Sequence, residues 1–103
     1  MSSPNLSEME RVLLYAIAKA NDFTLGKHSS KHVIKRYYPK ELKIGKKTQI
    51  FKKLESRGYG RLERKELIWR HPTGGELTWN LTDNGLKIAL ELKDELETSQ
   101  RVQ

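Results

Sequence analysis

The histidines are the first residues whose type and spacing suggest chemistry. His28 and His32 lie four residues apart, a spacing at which two imidazoles can bind one metal ion. Ser29 and Ser30 favour a helix that begins between the two histidines, so that His28 and His32 would not lie on one helical face as a metal-binding pair requires. The chain has no cysteine and one further histidine, His71, to complete a site. The sequence therefore predicts no metal site.

Catalytic patterns give no better match. No Ser/His/Asp arrangement can be argued, because histidines beside lysine clusters lack an orienting carboxylate. The stretch Gly58-Tyr59-Gly60 follows a predicted helix instead of preceding one, so it is not a phosphate-binding loop. The absence of cysteine excludes a thiolate nucleophile and an iron–sulfur cluster. We predict neither an enzyme nor a bound cofactor.

The basic residues are concentrated in the middle of the 103-residue chain. Residues 27–71 contain fifteen lysines and arginines against four acidic residues, a net charge of +11 within an overall charge of +7. Residues 1–26 and 72–103 carry net charges of −1 and −3. This distribution predicts one surface that meets a polyanion, and a solvated lysine-rich face is the alternative.

Length and composition indicate one small domain. A hydrophobic fraction of 36% can fill one core, but it cannot supply the long apolar faces of a doubly wound sheet or a barrel enzyme. No apolar run approaches the ~20 residues of a membrane span. The N-terminal residues also lack the basic and apolar regions of a signal peptide. We therefore expect a cytoplasmic protein with no membrane partner.

Capping signals predict the first two helices. Ser7 and Glu10 form a capping-box pattern that opens a helix ending near residue 20. Ser29 or Ser30 caps a second helix, which Pro39 ends. Its expected inward residues are Val33, Ile34 and Tyr37.

A third helix is predicted over residues 45–56, with Gly58 in the left-handed position after its end. Its apolar edge is expected to consist of Ile50, Phe51 and Leu54. Strands over 61–71 and 76–81 then flank a Gly-Gly hairpin turn. The core-facing residues expected in this hairpin are Ile68, Leu77, Trp79 and Leu81. A last helix begins at Thr82 or Asp83 and ends near residue 97.

Two motifs in this order resemble the winged helix-turn-helix superfamily. Leu54-Glu55-Ser56-Arg57-Gly58-Tyr59 is similar to the "L-E-x-x-G-Y/L" stretch at the end of its recognition helix. Trp79-Asn80-Leu81-Thr82-Asp83-Asn84-Gly85 is similar to the "Y/W-x-L-T-x-x-G" stretch that closes the wing and opens the last helix. The resemblance covers about residues 6–97 and extends to MarR- and PadR-like transcriptional regulators.

The resemblance implies an α+β, mostly helical fold: a winged helix with three helices, a β-hairpin wing and a C-terminal helix. We expect a DNA-binding domain over residues 6–97, which includes a C-terminal dimerisation helix over 83–97. Residues 1–5 and 98–103 are expected to form flexible tails.

The resemblance also implies that the partner is double-stranded DNA. The recognition helix would enter the major groove, where Gln49 could read an adenine, while the wing lies on the backbone or minor groove. Most of the basic residues would contact phosphates. The expected DNA-binding residues are Lys31, Lys35, Arg36, Lys46, Lys47, Thr48, Gln49, Lys52, Lys53, Arg70 and His71.

The first and last helices contain more apolar residues than one core can cover. On a helical wheel, those of the last helix spread over about twice the ~100° stripe that packing on one core requires. Burying the surplus against a second copy predicts a homodimer, with two recognition helices about one DNA turn apart. The expected interface residues are Leu14, Ala18, Leu86, Ile88, Leu92 and Leu96.

The sequence thus predicts a small homodimeric transcriptional regulator that is cytoplasmic and nucleoid-associated. Two other classes remain open. The same lysines would suit an RNA- or ribosome-associated winged-helix protein, or an adaptor that binds an acidic protein partner. Neither the operator nor a small-molecule effector is defined by the residues.

Overall fold

The computed structural model describes residues 5–39, 49–72 and 75–102, with the backbone alone for residue 72 and residues 96–102. In chain order, its elements are α1 (Glu8–Ala20), β1 (Ser29–Ser30), α2 (Lys31–Ile34) with a 3₁₀ turn (Lys35–Tyr37), α3 (Gln49–Arg64), β2 (Ile68–Pro72), β3 (Leu77–Leu81) and α4 (Asp83–Val102). The three strands form an antiparallel sheet in the order β1-β3-β2. The predicted fold class, an α+β winged helix, is confirmed.

Helix α1 begins and ends where the sequence predicts. The capping box is complete, because the Glu10 amide donates to Ser7 Oγ at 3.2 Å and the Ser7 amide donates to Glu10 Oε1 at 3.0 Å. Burial opposes the charge of Glu10, yet hydrogen bonds from Lys65 and Ser7 hold its pKa below the usual value. At the other end, Asn21 Nδ2 donates to the carbonyl oxygens of Ile17 and Trp79, which ties α1 to β3.

Helix α2 starts at the predicted cap, but the tyrosine that faces the core after it is not the predicted one. Ser30 Oγ accepts from the Val33 amide at 3.4 Å. Ile34 is buried as expected, whereas Val33 is half-buried and Tyr37 is exposed. Tyr38 occupies the inward position instead, because the 3₁₀ turn has three residues per turn and the chain is extended at Tyr38.

Helix α3 does not end at Gly58, so that prediction is wrong. The helix continues to Arg64, and the left-handed residue after it is Glu66, with a φ of 59°. Gly58 lies where α3 crosses α1. A Cβ there would lie 2.5 Å from Cδ1 of Leu13, so glycine is needed for the close approach of the two helices.

The inward face of α3 also differs from the predicted one. Ile50 is 74% exposed and Leu54 is 44% exposed, whereas Phe51 is buried as expected. The buried residues follow the spacing of one helical face. They are Phe51, Glu55, Gly58, Tyr59 and Leu62.

The hairpin forms with the predicted alternation. Ile68 pairs with Leu81 and Arg70 pairs with Trp79, so these side chains share a face, and Trp69 lies on the opposite one. Strand β2 starts at Ile68 and not at residue 61, because residues 61–64 belong to α3. Leu77 is exposed and does not join the core, since it lies beside the hairpin loop. The two-residue strand β1, which pairs with β3, was not predicted.

Helix α4 begins where the sequence predicts and is longer than predicted. Thr82 Oγ1 accepts from the Gly85 amide at 3.0 Å and donates to the Glu66 carbonyl oxygen at 2.6 Å. The helix continues to Val102, so residues 98–102 prolong it. Of the predicted tails, residues 1–4 and 103 lie outside the described residues.

The predicted dimer contacts need a correction. Leu14, Ala18, Ile88 and Leu92 are at most 8% exposed within a single chain. Because α4 packs along α1, one core already covers these residues and they leave no surplus apolar face. Leu86 is half-buried, and the side chain of Leu96 lies outside the described part of the chain.

Candidate nucleic-acid interface

The exposed side of α3 carries five basic residues. Lys53, Arg57, Arg61 and Arg64 follow one another at helical spacing and lie on one face, which we call the basic stripe. Lys52 is exposed beside it. Within the described residues, none of the five forms an ion pair or a hydrogen bond. Their positive charges are therefore presented to solvent.

The two acidic residues of α3 are both engaged elsewhere. Glu63 accepts from Nε and Nη2 of Arg70 at 2.8 and 3.0 Å, which connects α3 to β2. Glu55 is buried and accepts from the Tyr38 hydroxyl at 2.6 Å, which connects α3 to the end of the α2 segment. Neither carboxylate neutralises the basic stripe.

The environment of Glu55 also alters two neighbouring phenols. Burial raises the pKa of Tyr38 far above its usual value, and nearby Tyr59 and Glu55 add to the effect. Burial likewise raises the pKa of Tyr59. Both phenols therefore stay neutral in the folded protein, and the Tyr38 hydroxyl donates its proton to Glu55.

Three of the predicted recognition residues lie on the exposed surface of α3. Gln49, Lys52 and Lys53 are exposed. Lys46, Lys47 and Thr48 lie outside the described residues. The structure thus places one predicted base reader, Gln49, on the same helix as the basic stripe.

The basic residues of the α2 segment are less accessible than expected. Lys31 is half-buried, with Nζ 4.5 Å from the centre of the Tyr59 ring and 5.9 Å from that of Trp79. Lys35 is half-buried and Arg36 is exposed. The Lys31 ammonium is thus partly engaged in cation–π contacts.

The two predicted wing residues point to opposite faces of the hairpin. Arg70 shares a face with Trp79, lies 5.8 Å from its ring centre and is paired with Glu63. His71 lies on the other face, where its ring contacts His28 at a centre-to-centre distance of 4.4 Å. Only His71 is therefore placed on the wing surface that faces away from the core.

Sequence reasoning missed four residues that the structure brings into this region. Arg57, Arg61 and Arg64 were assigned to a helix end and a strand because Gly58 was taken as the helix stop. Their helical spacing from Lys53 was the sequence signal that could have placed them on the same helix face. No sequence signal indicated the contact of His28 with His71, since the two residues are 43 positions apart and are brought together by sheet pairing.

Metal-binding clusters and membrane-spanning helices are absent from the described residues. Within them, no group of three or more His, Asp or Glu side chains is arranged to hold a metal ion. His32 is exposed on α2, apart from the contact between His28 and His71. No helix in the described ranges combines the length and apolarity needed to cross a bilayer.

Comparison with known proteins identifies a similar fold. No family model matches the chain, and no curated protein matches it significantly. Among solved structures, the crystal structure of SSV1 F-93 is similar, with a TM-score of 0.64 and an alignment that covers 100% of both chains. The two sequences are 16% identical, so the likeness shows the fold alone.

Proposed function

We propose that the protein binds double-stranded DNA sequence-specifically and acts as a small homodimeric transcriptional regulator. The observation that carries this proposal is the basic stripe together with Lys52: an exposed helix of a winged-helix fold presents five cations, and both of its carboxylates are engaged elsewhere. A polyanion with regularly spaced phosphates is the partner that such a surface fits.

Sequence reading is assigned to the exposed residues at the beginning of the described part of α3. The Gln49 amide can form a bidentate contact with adenine, and the exposed Ile50 side chain suits a thymine methyl group. The basic stripe and Lys52 would contact phosphates, which position the helix in the groove without reading the sequence.

Self-association remains part of the proposal but needs a different surface from the predicted one. Leu90 on α4 is 47% exposed and lies one helical turn from the half-buried Leu86. We assign the dimer contact to this side of α4. Sedimentation at micromolar concentration tests it: a species of about twice the 12.0 kDa chain mass is expected, and Leu90→Glu should dissociate it. A wild-type monomer at all concentrations would exclude the dimer.

Binding to a labelled DNA duplex at several salt concentrations tests the DNA assignment. With ~6–10 phosphate contacts in a dimer, affinity should fall by ~10³–10⁵ between 50 and 200 mM salt. Arg57→Ala should weaken binding to all duplexes and reduce the salt slope by about one for each bound chain. Lys19→Ala is the matched control, because Lys19 is an exposed cation on α1, outside the stripe and outside the proposed dimer contact.

Sequence selectivity is tested separately with Gln49→Ala. This variant should lose ~1–3 kcal/mol of discrimination at one base pair while nonspecific affinity is kept. Preference for a structured RNA over every duplex would instead support an RNA-binding function. Failure to bind either nucleic acid at low salt would refute the proposal.

A further inference from the structure

His28 and His71 form a side-chain cluster on the face of the hairpin that points away from the core. Their ring centres are 4.4 Å apart and their planes are inclined by 58°. The ring of Trp69 packs edge-on against His71 at 5.1 Å. The two histidines come together because β1 and β2 both pair with β3, which places Thr78 between them.

Thr78 determines which nitrogen of His28 carries hydrogen. Its hydroxyl donates to the carbonyl oxygen of His71 at 2.7 Å and also lies 2.9 Å from Nδ1 of His28. A hydroxyl has a single proton. With that proton in the shorter of the two contacts, the one to the carbonyl, Thr78 Oγ1 accepts from His28 and Nδ1 is the protonated nitrogen. In the neutral ring, Nε2 then carries a lone pair and cannot donate.

This hydrogen-bond pattern couples anion binding to protonation. A phosphate oxygen requires a donor, and Nε2 of His28 becomes one only when the ring takes up a second proton. We infer that the His28–His71 pair is a phosphate-binding site of the wing that engages the nucleic-acid backbone in its protonated form. The inference rests on the proposed function and adds proton uptake to it.

The pair takes up one proton and not two. A neutral imidazole 4.4 Å from a cationic one can stabilise the positive charge through its ring, whereas two cations at that distance repel each other. Histidine is also the side chain that changes its charge between about pH 5 and 8.

The charged residues next to the two histidines are held in ion pairs. Lys27, next to His28, is paired with Asp22. Arg70, next to His71, points to the opposite face and is paired with Glu63. Glu76 is the acidic residue of the hairpin, and it is engaged in an interaction of its own.

The experiment measures binding of a short fluorescein-labelled DNA duplex by anisotropy at pH 6 and pH 8, over a range of salt concentrations. Affinity should be higher at pH 6, by at most about tenfold per pH unit for each bound chain, the limit for one proton per chain. The slope of log affinity against log salt should be steeper at pH 6 by about one phosphate contact per bound chain. Calorimetry in buffers of different ionisation enthalpy should show uptake of up to one proton per bound chain.

Three variants separate the histidine site from general effects of pH. His28→Gln supplies an amide donor at every pH, so it should bind the duplex with little pH dependence. His32→Ala is the matched control, because His32 is an exposed histidine outside the cluster, and it should retain the wild-type profile. Thr78→Val removes the hydroxyl that fixes the hydrogen on Nδ1 of His28, so Nε2 can carry the hydrogen in the neutral ring and affinity at pH 8 should rise. Circular dichroism checks that the fold of this variant is unchanged.

The outcomes distinguish this inference from the function on which it rests. Duplex binding with the same affinity and salt slope at both pH values would refute the histidine site and leave the DNA-binding proposal intact. A pH dependence that persists in His28→Gln, or is lost in His32→Ala, would also refute it. Absence of duplex binding at either pH in low salt would overturn the proposed function itself.

Discussion

Replacing Gly85 by alanine should open the junction between the hairpin and α4. A Cβ on Gly85 would lie 1.8 Å from the carbonyl oxygen of Leu67, whereas an ordinary carbon–oxygen contact is roughly 3.3 Å. The obstructing atom is backbone, and it accepts a hydrogen bond from the Thr82 amide at 3.0 Å. The junction must therefore move by roughly 1.5 Å to admit the methyl group.

The expected cost follows from these contacts. Overpacking costs ~1–3 kcal/mol and the lost hydrogen bond ~0.5–1.5 kcal/mol. The better helix propensity of alanine returns ~0.5–1 kcal/mol. We expect a net loss of about 2–3 kcal/mol in the free energy of unfolding, which would lower Tm by roughly 10–20 °C in a domain of this size.

Alanine variants of two further glycines serve as references for Gly85→Ala when all three are measured by urea unfolding. Gly58→Ala should cost about 0–2 kcal/mol, because its Cβ would meet the buried side chain of Leu13 at 2.5 Å while the helix gains propensity. Gly26→Ala should change stability by less than ~0.5 kcal/mol or increase it slightly, because nothing lies within 4 Å of its Cβ position. If Gly85→Ala proves as stable as Gly26→Ala, the close approach of Gly85 to Leu67 is refuted.

Four further outcomes are expected from the buried polar groups and the basic stripe. The lowered pKa of Glu10 means that its contribution to stability is complete above the ordinary carboxyl range and is lost as pH falls. Glu10→Gln should therefore cost about 1–3 kcal/mol at neutral pH and flatten the acid side of the urea midpoint plotted against pH; an unchanged acid profile would contradict this. Tyr38→Phe leaves the buried Glu55 carboxylate without its donor and should cost about 1–3 kcal/mol in thermal unfolding. Because the pKa values of Tyr38 and Tyr59 are raised, the stability they contribute is complete below about pH 10 and falls as pH rises further. Phenolate absorbance from these residues should appear only with unfolding, and its earlier appearance would contradict their burial. Tripolyphosphate should raise Tm more than chloride of equal ionic strength, because like charges along the basic stripe repel each other. Equal melting temperatures in the two salts would argue against an anion-binding stripe.

The parts of the fold that the sequence predicts are those set by local chemistry. The Ser7 cap, the Ser30 cap and the alternation of the hairpin depend on residues within a few positions of one another, and all three are confirmed. Glycine is locally suited to a helix end, so Gly58 was misassigned. Its actual role depends on Leu13, a residue of another helix, and no local pattern contains that contact.

The residues of the candidate site differ in the same way: those that follow a local pattern were predicted, and those set by a contact between elements were not. Gln49, Lys52 and Lys53 are visible in the sequence because a basic, polar helix face is a local pattern. The inward position of Glu55 was not predictable, since a carboxylate is buried only where a donor such as the Tyr38 hydroxyl compensates for lost hydration. Once Glu55 turns inward, Ile50 and Leu54 turn outward, and the whole apolar edge assigned to α3 changes.

The excess positive charge of the middle segment divides into two groups with different roles. Lys65 and Arg70 are paired with Glu10 and Glu63, so they connect structural elements and a phosphate would have to compete for them. The basic stripe has no such partner within the described residues, so its charges add nothing to the cohesion of the fold. Under the proposed function, stability and polyanion binding therefore depend on separate residues. Substitutions in the stripe should weaken binding without loosening the core, whereas removing Glu63 would free Arg70 and remove the ion pair that joins β2 to the helix that carries the stripe.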